Sequence, residues 1–174
     1  YNGGTLSNKL SGTVTVNATK IWKAAAFQSA LEDVRVELTL QARPVGSEDP
    51  WEDTGLPETL GTEETGNFTA ENLGGLSVSA SAPKYDNQGR ELEYRWVESA
   101  VYQGENKTNL LDNNSFTLSG GGSRGDAKYR VTDVENGNTT EITNAVSNQI
   151  DYTVEKKWES GVQEGPVTFA LYRT

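Results

Sequence analysis

Three polar residues fall on strand faces that otherwise read as apolar. Lys20 lies between Ala18 and Trp22, Glu98 follows Leu92, Tyr94 and Trp96 at intervals of two, and Asn144 lies between Ile142 and Val146. A strand sends every second side chain to the same face, so all three are aimed at a core. Singly, each has a plain explanation: a lysine can snorkel, a strand-end glutamate can reach solvent, and an asparagine can cap an edge. Together they have the types needed for one reaction. Desolvation favours the neutral forms of lysine and glutamate. A neutral amine is a nucleophile, and a protonated carboxylic acid can hydrogen-bond a side-chain carbonyl and polarise it. Attack of the Lys20 amine on the Asn144 carboxamide carbon, with loss of ammonia, would leave an amide cross-link, and fixed proximity in a dry core would supply most of the rate. Glu98 is then the proton shuttle. Such a reaction runs once per molecule, so the chain is expected to modify itself rather than to act as an enzyme. Asn148 is an alternative acceptor, because "VSNQI" echoes "LSNKL" around Asn8. The interval from Asn8 to Lys20 equals that from Asn144 to Lys156, which favours Asn144.

The elements that must position these residues show a period of two. "TVTVNATKIW" puts Val14, Val16, Ala18, Lys20 and Trp22 on one face, and "DVRVELTL" does the same for Val34, Val36, Leu38 and Leu40. "NFTAENL" reads as a strand through Phe68, Ala70 and Asn72, and "ELEYRWVES", "SFTLS", "AKYRVTDV" and "TEITNAVSNQI" supply further strands. Clusters such as "RPVGSEDP", "KYDNQG", "SGGGSRGD" and "ENGN" separate them. Short alternating runs with this punctuation predict an all-β sandwich or barrel. "KAAAFQSALEDV" reads equally as a turn or two of helix or as a loop whose Phe27 and Leu31 cover the sandwich edge.

Composition narrows the functions. The 174 residues carry a formal net charge of −10, which disfavours nucleic acid and anionic membrane surfaces as partners. There is no Cys, His or Met. The usual zinc, copper and iron sites, and Ser-His-Asp or Cys-His catalysis, therefore lack their residues. No metal or cofactor is expected. No apolar run reaches the roughly 20 residues that span a bilayer, so membrane insertion by a helix is not expected. Asn-X-Ser/Thr triplets at Asn17, Asn67, Asn106, Asn113 and Asn138 are what an Asn- and Thr-rich β-protein makes by chance.

The chain also repeats itself. "ATKIWK" followed by "VRVELTLQ" returns as "VEKKWE" followed by "VTFALYRT", matching Lys20 and Trp22 with Lys156 and Trp158. The reading is of residues 1–10 as the closing strand of a preceding domain, 11–150 as a complete sandwich, and 151–174 as the first two strands of a following one. Lys156 and Asn8 form a second, partial site, to be completed by flanking domains or by a neighbouring copy. Two strands alone cannot bury their apolar face.

These residues resemble the CnaB-type (collagen-adhesin B-repeat) domains of Gram-positive surface adhesins and pilins. "ATKIW" looks like the family's first strand, "FTAENL" and "PKYDNQGRELEYRWVES" like its central run, and "EITN" like its closing strand. The resemblance covers residues 13–148 and more thinly 151–174, with Pro83 to Glu98 the most specific part. The chain departs from the pattern where "GGLSVSASA" separates "ENL" from "PKYD", in a long approach to the last strand, and at Trp96 in place of Val. The resemblance implies a CnaB-like, reverse immunoglobulin-like β-sandwich in tandem arrangement, with an isopeptide triad at Lys20, Glu98 and Asn144. It further implies an extracellular, cell-surface module of an adhesin or pilus, whose partners are adjacent domains or neighbouring copies of the same surface protein, and a host or surface ligand where there is one.

Other motifs are weaker. Arg124, Gly125 and Asp126 form an Arg-Gly-Asp triplet in a Gly-rich loop within an integrin's reach, but so short a triplet arises often by chance. "LPETLG" at 56–61 resembles a sortase signal, yet Leu60 intervenes, and it reads as a loop. "YDNQG" and "DVENGN" lack EF-hand spacing and read as turns. Three functions compete: a stalk or fibre module locked by its own bond, a ligand-binding adhesin module using the two long insertions, and a carbohydrate-binding or hydrolytic sandwich. The last would need two carboxylates converging in an open cleft, and no pair stands out among the 25 acids.

Overall fold

The computed structural model describes residues 9–31, 33–69, 71–122 and 125–147, together with 168 and 170. Six of the seven alternating runs become strands where they were expected. β1 spans Thr13–Lys23, β2 Val34–Pro44, β5 Leu92–Gln103, β6 Ser115–Leu118, β7 Ala127–Asn136 and β8 Thr139–Val146. A 3₁₀ helix, Ala25–Leu31, joins β1 to β2 and buries Ala30 and Leu31. With β3 (Glu52–Leu60) and β4 (Leu76–Pro83), the strands among the described residues form two sheets, in the orders β4-β1-β8-β7-β6 and β3-β2-β5, which make an all-β sandwich. Its core lies between the inward faces. Val16, Ala18, Ile142, Tyr129 and Leu118 of the larger sheet meet Val36, Leu38, Leu40 and Trp96 of the smaller.

Two strands arise where the sequence reading had none. β3, Glu52–Leu60, contains the "LPETL" run that was expected to be a loop. It is an edge strand, mostly exposed, and it carries Gly55 at φ 74 and Pro57. Edge strands tolerate both residues because one row of backbone donors faces away from the sheet. β4, Leu76–Pro83, is the "LSVSASA" segment that interrupts the family pattern. It pairs antiparallel with β1 and turns Val78, Ala80 and Ala82 inward, with serines outward. Conversely, residues 67–69 and 71–73 are not in a strand, and Ala70 lies outside the described residues. Asn72 accepts the Thr69 N–H and donates to the Asn67 carbonyl, each at 2.7 Å, which curls the segment into a loop. Phe68 still reaches the core, edge-on to Trp22.

Two features set the position of the site. β1 and β8 are adjacent and parallel, with Lys20 opposite Ile142 and Trp22 opposite Asn144. In β5 the pairing with β2 slips by one residue: Glu98 faces Leu38, but Ala100 faces Glu37. This bulge ends the inward series Tyr94, Trp96, Glu98 and lets Val101 turn inward opposite Val36. Bulges of this kind re-aim side chains. The free edge of β5 also meets β8, where the Trp96 N–H donates to Thr140 Oγ1 at 3.1 Å and stitches the two sheets together.

Candidate functional site

The register of β1 on β8 brings Lys20 and Asn144 to one patch of one face, a single side-chain step apart. Glu98 descends on them from the opposite sheet. Both Lys20 and Asn144 are 0 % exposed, and the Lys20 and Glu98 side chains are both 0 % exposed. Lys20 Nζ lies 2.9 Å from Glu98 Oε2. Asn144 Nδ2 donates to Glu98 Oε1 at 2.9 Å and to Oε2 at 3.1 Å. One carboxylate oxygen therefore touches both nitrogens. Lys20 Nζ also donates to the Ile142 carbonyl at 3.4 Å and sits 5.0 Å from the centre of the Trp22 ring.

The electrostatics follow from burial. Loss of water pushes the Lys20 amine down to about 8 from 10.5, against the charge and hydrogen bond of Glu98, which favour the ammonium. Burying an ion pair costs several kcal/mol per ion before the pair attraction offsets it. A hydrophobic pair of the same volume would serve packing at least as well, so packing alone does not account for these residue types.

The amide is oriented in a specific way. The expected contact was from a protonated Glu98 to the Asn144 carbonyl oxygen. The structure places Nδ2 on Glu98 instead, where both carboxyl oxygens accept from it. Among the described residues Asn144 Oδ1 is left buried with no hydrogen-bond donor, and two aromatic polar atoms of the adjacent strands, Trp22 Nε1 and Tyr129 Oη, are also buried without partners. Neither Trp22 nor Tyr129 was singled out for chemistry in the sequence, since each reads as an ordinary core aromatic. Burial pushes the Tyr129 hydroxyl up to about 12.

The other sequence candidates are placed less fully. Asn8, Asn148, Lys156 and Arg124 lie outside the described residues, so the second partial site and the alternative acceptor have no geometry here. Gly125, at φ 74, and the exposed Asp126 lie in the turn that leads into β7. Among the described residues no three acidic side chains converge as metal ligands.

Fold and site together define an all-β sandwich whose first and last described strands are bridged by a buried Lys-Glu-Asn cluster. No protein-family model matches the chain, and no curated protein matches it. Among solved structures it is similar to the pilus adhesin SpaC from Lactobacillus rhamnosus GG, at 20% identity and a TM-score of 0.43. The match covers 78% of this chain and spans only 13% of that one.

Proposed function

We propose that this chain is a structural module of a cell-surface stalk, fibre or pilus, locked by an amide bond that it forms between Lys20 and Asn144. The observation that carries this reading is the position of Glu98 Oε2, 2.9 Å from the nucleophilic nitrogen and 3.1 Å from the leaving nitrogen. Glu98 first takes a proton from the Lys20 ammonium. The neutral Nζ attacks Cγ of Asn144, and the Nζ–Cγ bond forms. The protonated Glu98 lies against Nδ2 and hands its proton there, the Cγ–Nδ2 bond breaks, and ammonia departs. The second proton shed by Nζ remains on Glu98 or leaves with the ammonia as ammonium. A single side chain thus serves as base and then as acid, and the strand register fixes the partners within reach.

The test is the intact mass of the denatured protein beside Glu98→Ala. A wild type lighter by one ammonia, with the variant at full mass, is the expected result. Full mass in a folded wild type would overturn the cross-link. The same spectrum reads the accessory proposal that Lys156 and Asn8 are joined between copies: it requires a second missing ammonia or a covalent ladder on a denaturing gel.

The adhesin reading rested on two long insertions forming a groove. One of them is β4, an integral strand beside β1, which leaves that reading with less free surface. The locked-module reading is preferred.

A further inference from the structure

Glu98 cannot serve every atom of the reacting amide. Both of its oxygens lie on Asn144 Nδ2, and in a planar carboxamide Oδ1 points away from Nδ2. Reversing the amide would give up both of these hydrogen bonds. The atom that gains negative charge when Nζ adds to Cγ is therefore the one that Glu98 does not touch. We propose that the indole N–H of Trp22 and the hydroxyl of Tyr129 form the oxyanion site for Asn144 Oδ1. This proposal rests on the cross-linking reading given above.

Complementarity is the first support. Asn144 Oδ1 is a buried acceptor lacking a donor, and Trp22 Nε1 is a buried donor lacking an acceptor. Tyr129 Oη, also unpartnered, can donate. Buried polar groups without partners are uncommon in native proteins, and each calls for a reason. Three of them on the adjacent strands β1, β8 and β7, one in the reacting amide itself, share one: bonds that are incomplete before reaction and are made as charge develops are worth more to the rate than bonds already made in the ground state.

Placement is the second support. β8 lies between β1 and β7. Trp22 stands directly opposite Asn144 from one side. On the other side Asn144 faces Val131, and Tyr129 is the next inward residue of β7. The two rings meet at 5.2 Å, perpendicular to each other, so they close over β8 beside Asn144. The Trp22 ring also lies 5.0 Å from Lys20 Nζ, which puts it against the attacking nitrogen as well. The high proton affinity of the buried Tyr129 hydroxyl keeps it a donor throughout the accessible pH range.

The experiment is a time course of ammonia loss, read by intact mass after cell-free synthesis of the whole chain. Two changes remove a donor and keep shape: Tyr129→Phe, and site-specific replacement of Trp22 by benzothienylalanine, in which sulfur stands for N–H. Removing one oxyanion donor slows acyl transfer by about a hundred- to a thousand-fold. Each variant is expected to slow by that order and still to reach a deficit of one ammonia. The pH midpoint of the rate should stay where Lys20 sets it, because the proton path through Glu98 is untouched. A midpoint that moves with the rate would mean general disruption of the site and would overturn the proposal. A wild type that cross-links, with both variants within twofold of its rate, would sink this proposal alone. A folded wild type that keeps its full mass would sink the cross-link and this proposal with it.

Discussion

Replacing Asn144 by alanine removes the acceptor and leaves Lys20 and Glu98 paired at 2.9 Å. The bond would tie β1 to β8 across a loop of about 125 residues, and in the chain-entropy treatment of cross-links that loop is worth about 5 kcal/mol at 25 °C. For a domain of this size each kcal/mol moves the midpoint by about 2–4 °C. Loss of the link alone should therefore lower Tm by roughly 10–20 °C. Alanine also leaves a small cavity, which adds to the fall. The two contributions separate in denaturant. A linked unfolded chain retains a closed loop and exposes less surface, so its m-value is smaller. The variant should show both a lower midpoint and a steeper slope than wild type, and its intact mass should show no missing ammonia. A wild type proven to be linked, set against a variant whose Tm lies within about 3 °C, the shift expected of a single kcal/mol, would refute the loop-closure reasoning. A large fall in Tm with an unchanged slope would assign the loss to the cavity instead.

Three further outcomes are expected. Burial pushes the Lys20 amine down to about 8 in the fold, from 10.5 when exposed, and the unlinked Asn144→Ala protein is expected to keep that difference. Between these values the unfolded chain holds more protons, so stability should rise with pH, on the order of 3 kcal/mol in all. A cross-linked wild type, its Lys20 nitrogen held in an amide, should lack this rise, and so should Asn144→Ala combined with Lys20→Met; denaturant melts from pH 7 to 10.5 would read the difference. Thr140→Val keeps shape but strips the Trp96 N–H of its acceptor. That should cost about 1–3 kcal/mol and speed hydrogen exchange at the Trp96 amide, and unchanged exchange would count against the inter-sheet bond. Gly61 has φ 83, and a Cβ there would strike the Val34 carbonyl oxygen and the Phe68 ring. Gly61→Ala should cost more than the roughly 1–2 kcal/mol of left-handed strain alone, measured by thermal melting; a neutral effect would show that the turn can relax.

Much of this arrangement was legible because large side chains mark a strand face. Trp22, Leu38, Leu40, Tyr94 and Trp96 alternate with polar residues, and Lys20, Glu98 and Asn144 stood out as breaks in that pattern. β4 was hidden because its inward residues, Val78, Ala80 and Ala82, are small and its outward ones are serines, so the segment resembled a flexible insertion. β3 was hidden because an edge strand has no buried face to impose alternation and can hold Gly55 and Pro57. The segments 67–69 and 71–73 misled in the opposite direction, since Phe68 and Asn72 fit a period of two while the Asn72 side chain bonds back to the backbone of Asn67 and Thr69. Within β5 the period itself fails: continued past Glu98 it would place Ala100 and Tyr102 inward, whereas the bulge turns Val101 in. Nothing in a linear pattern marks Trp22 and Tyr129 as polar participants. Their orphan atoms are defined only once β8 lies between β1 and β7.

The parallel pairing of β1 with β8, closed over by Glu98 from the other sheet, has a consequence for quality control. The proposed reaction would need the first and last of these strands side by side, so it could not begin until the chain had been made as far as Val146. It also needs both sheets docked, because the shuttle and the partners belong to different sheets. A slip of β8 by one residue would turn Asn144 to the outer face, and no bond would form. Under the proposed reaction a missing ammonia would be a permanent receipt, left in the mass of each molecule, that it passed once through the correct fold. Molecules that misfolded on the way would stay unsealed, and the sealed fraction would count the successes one by one.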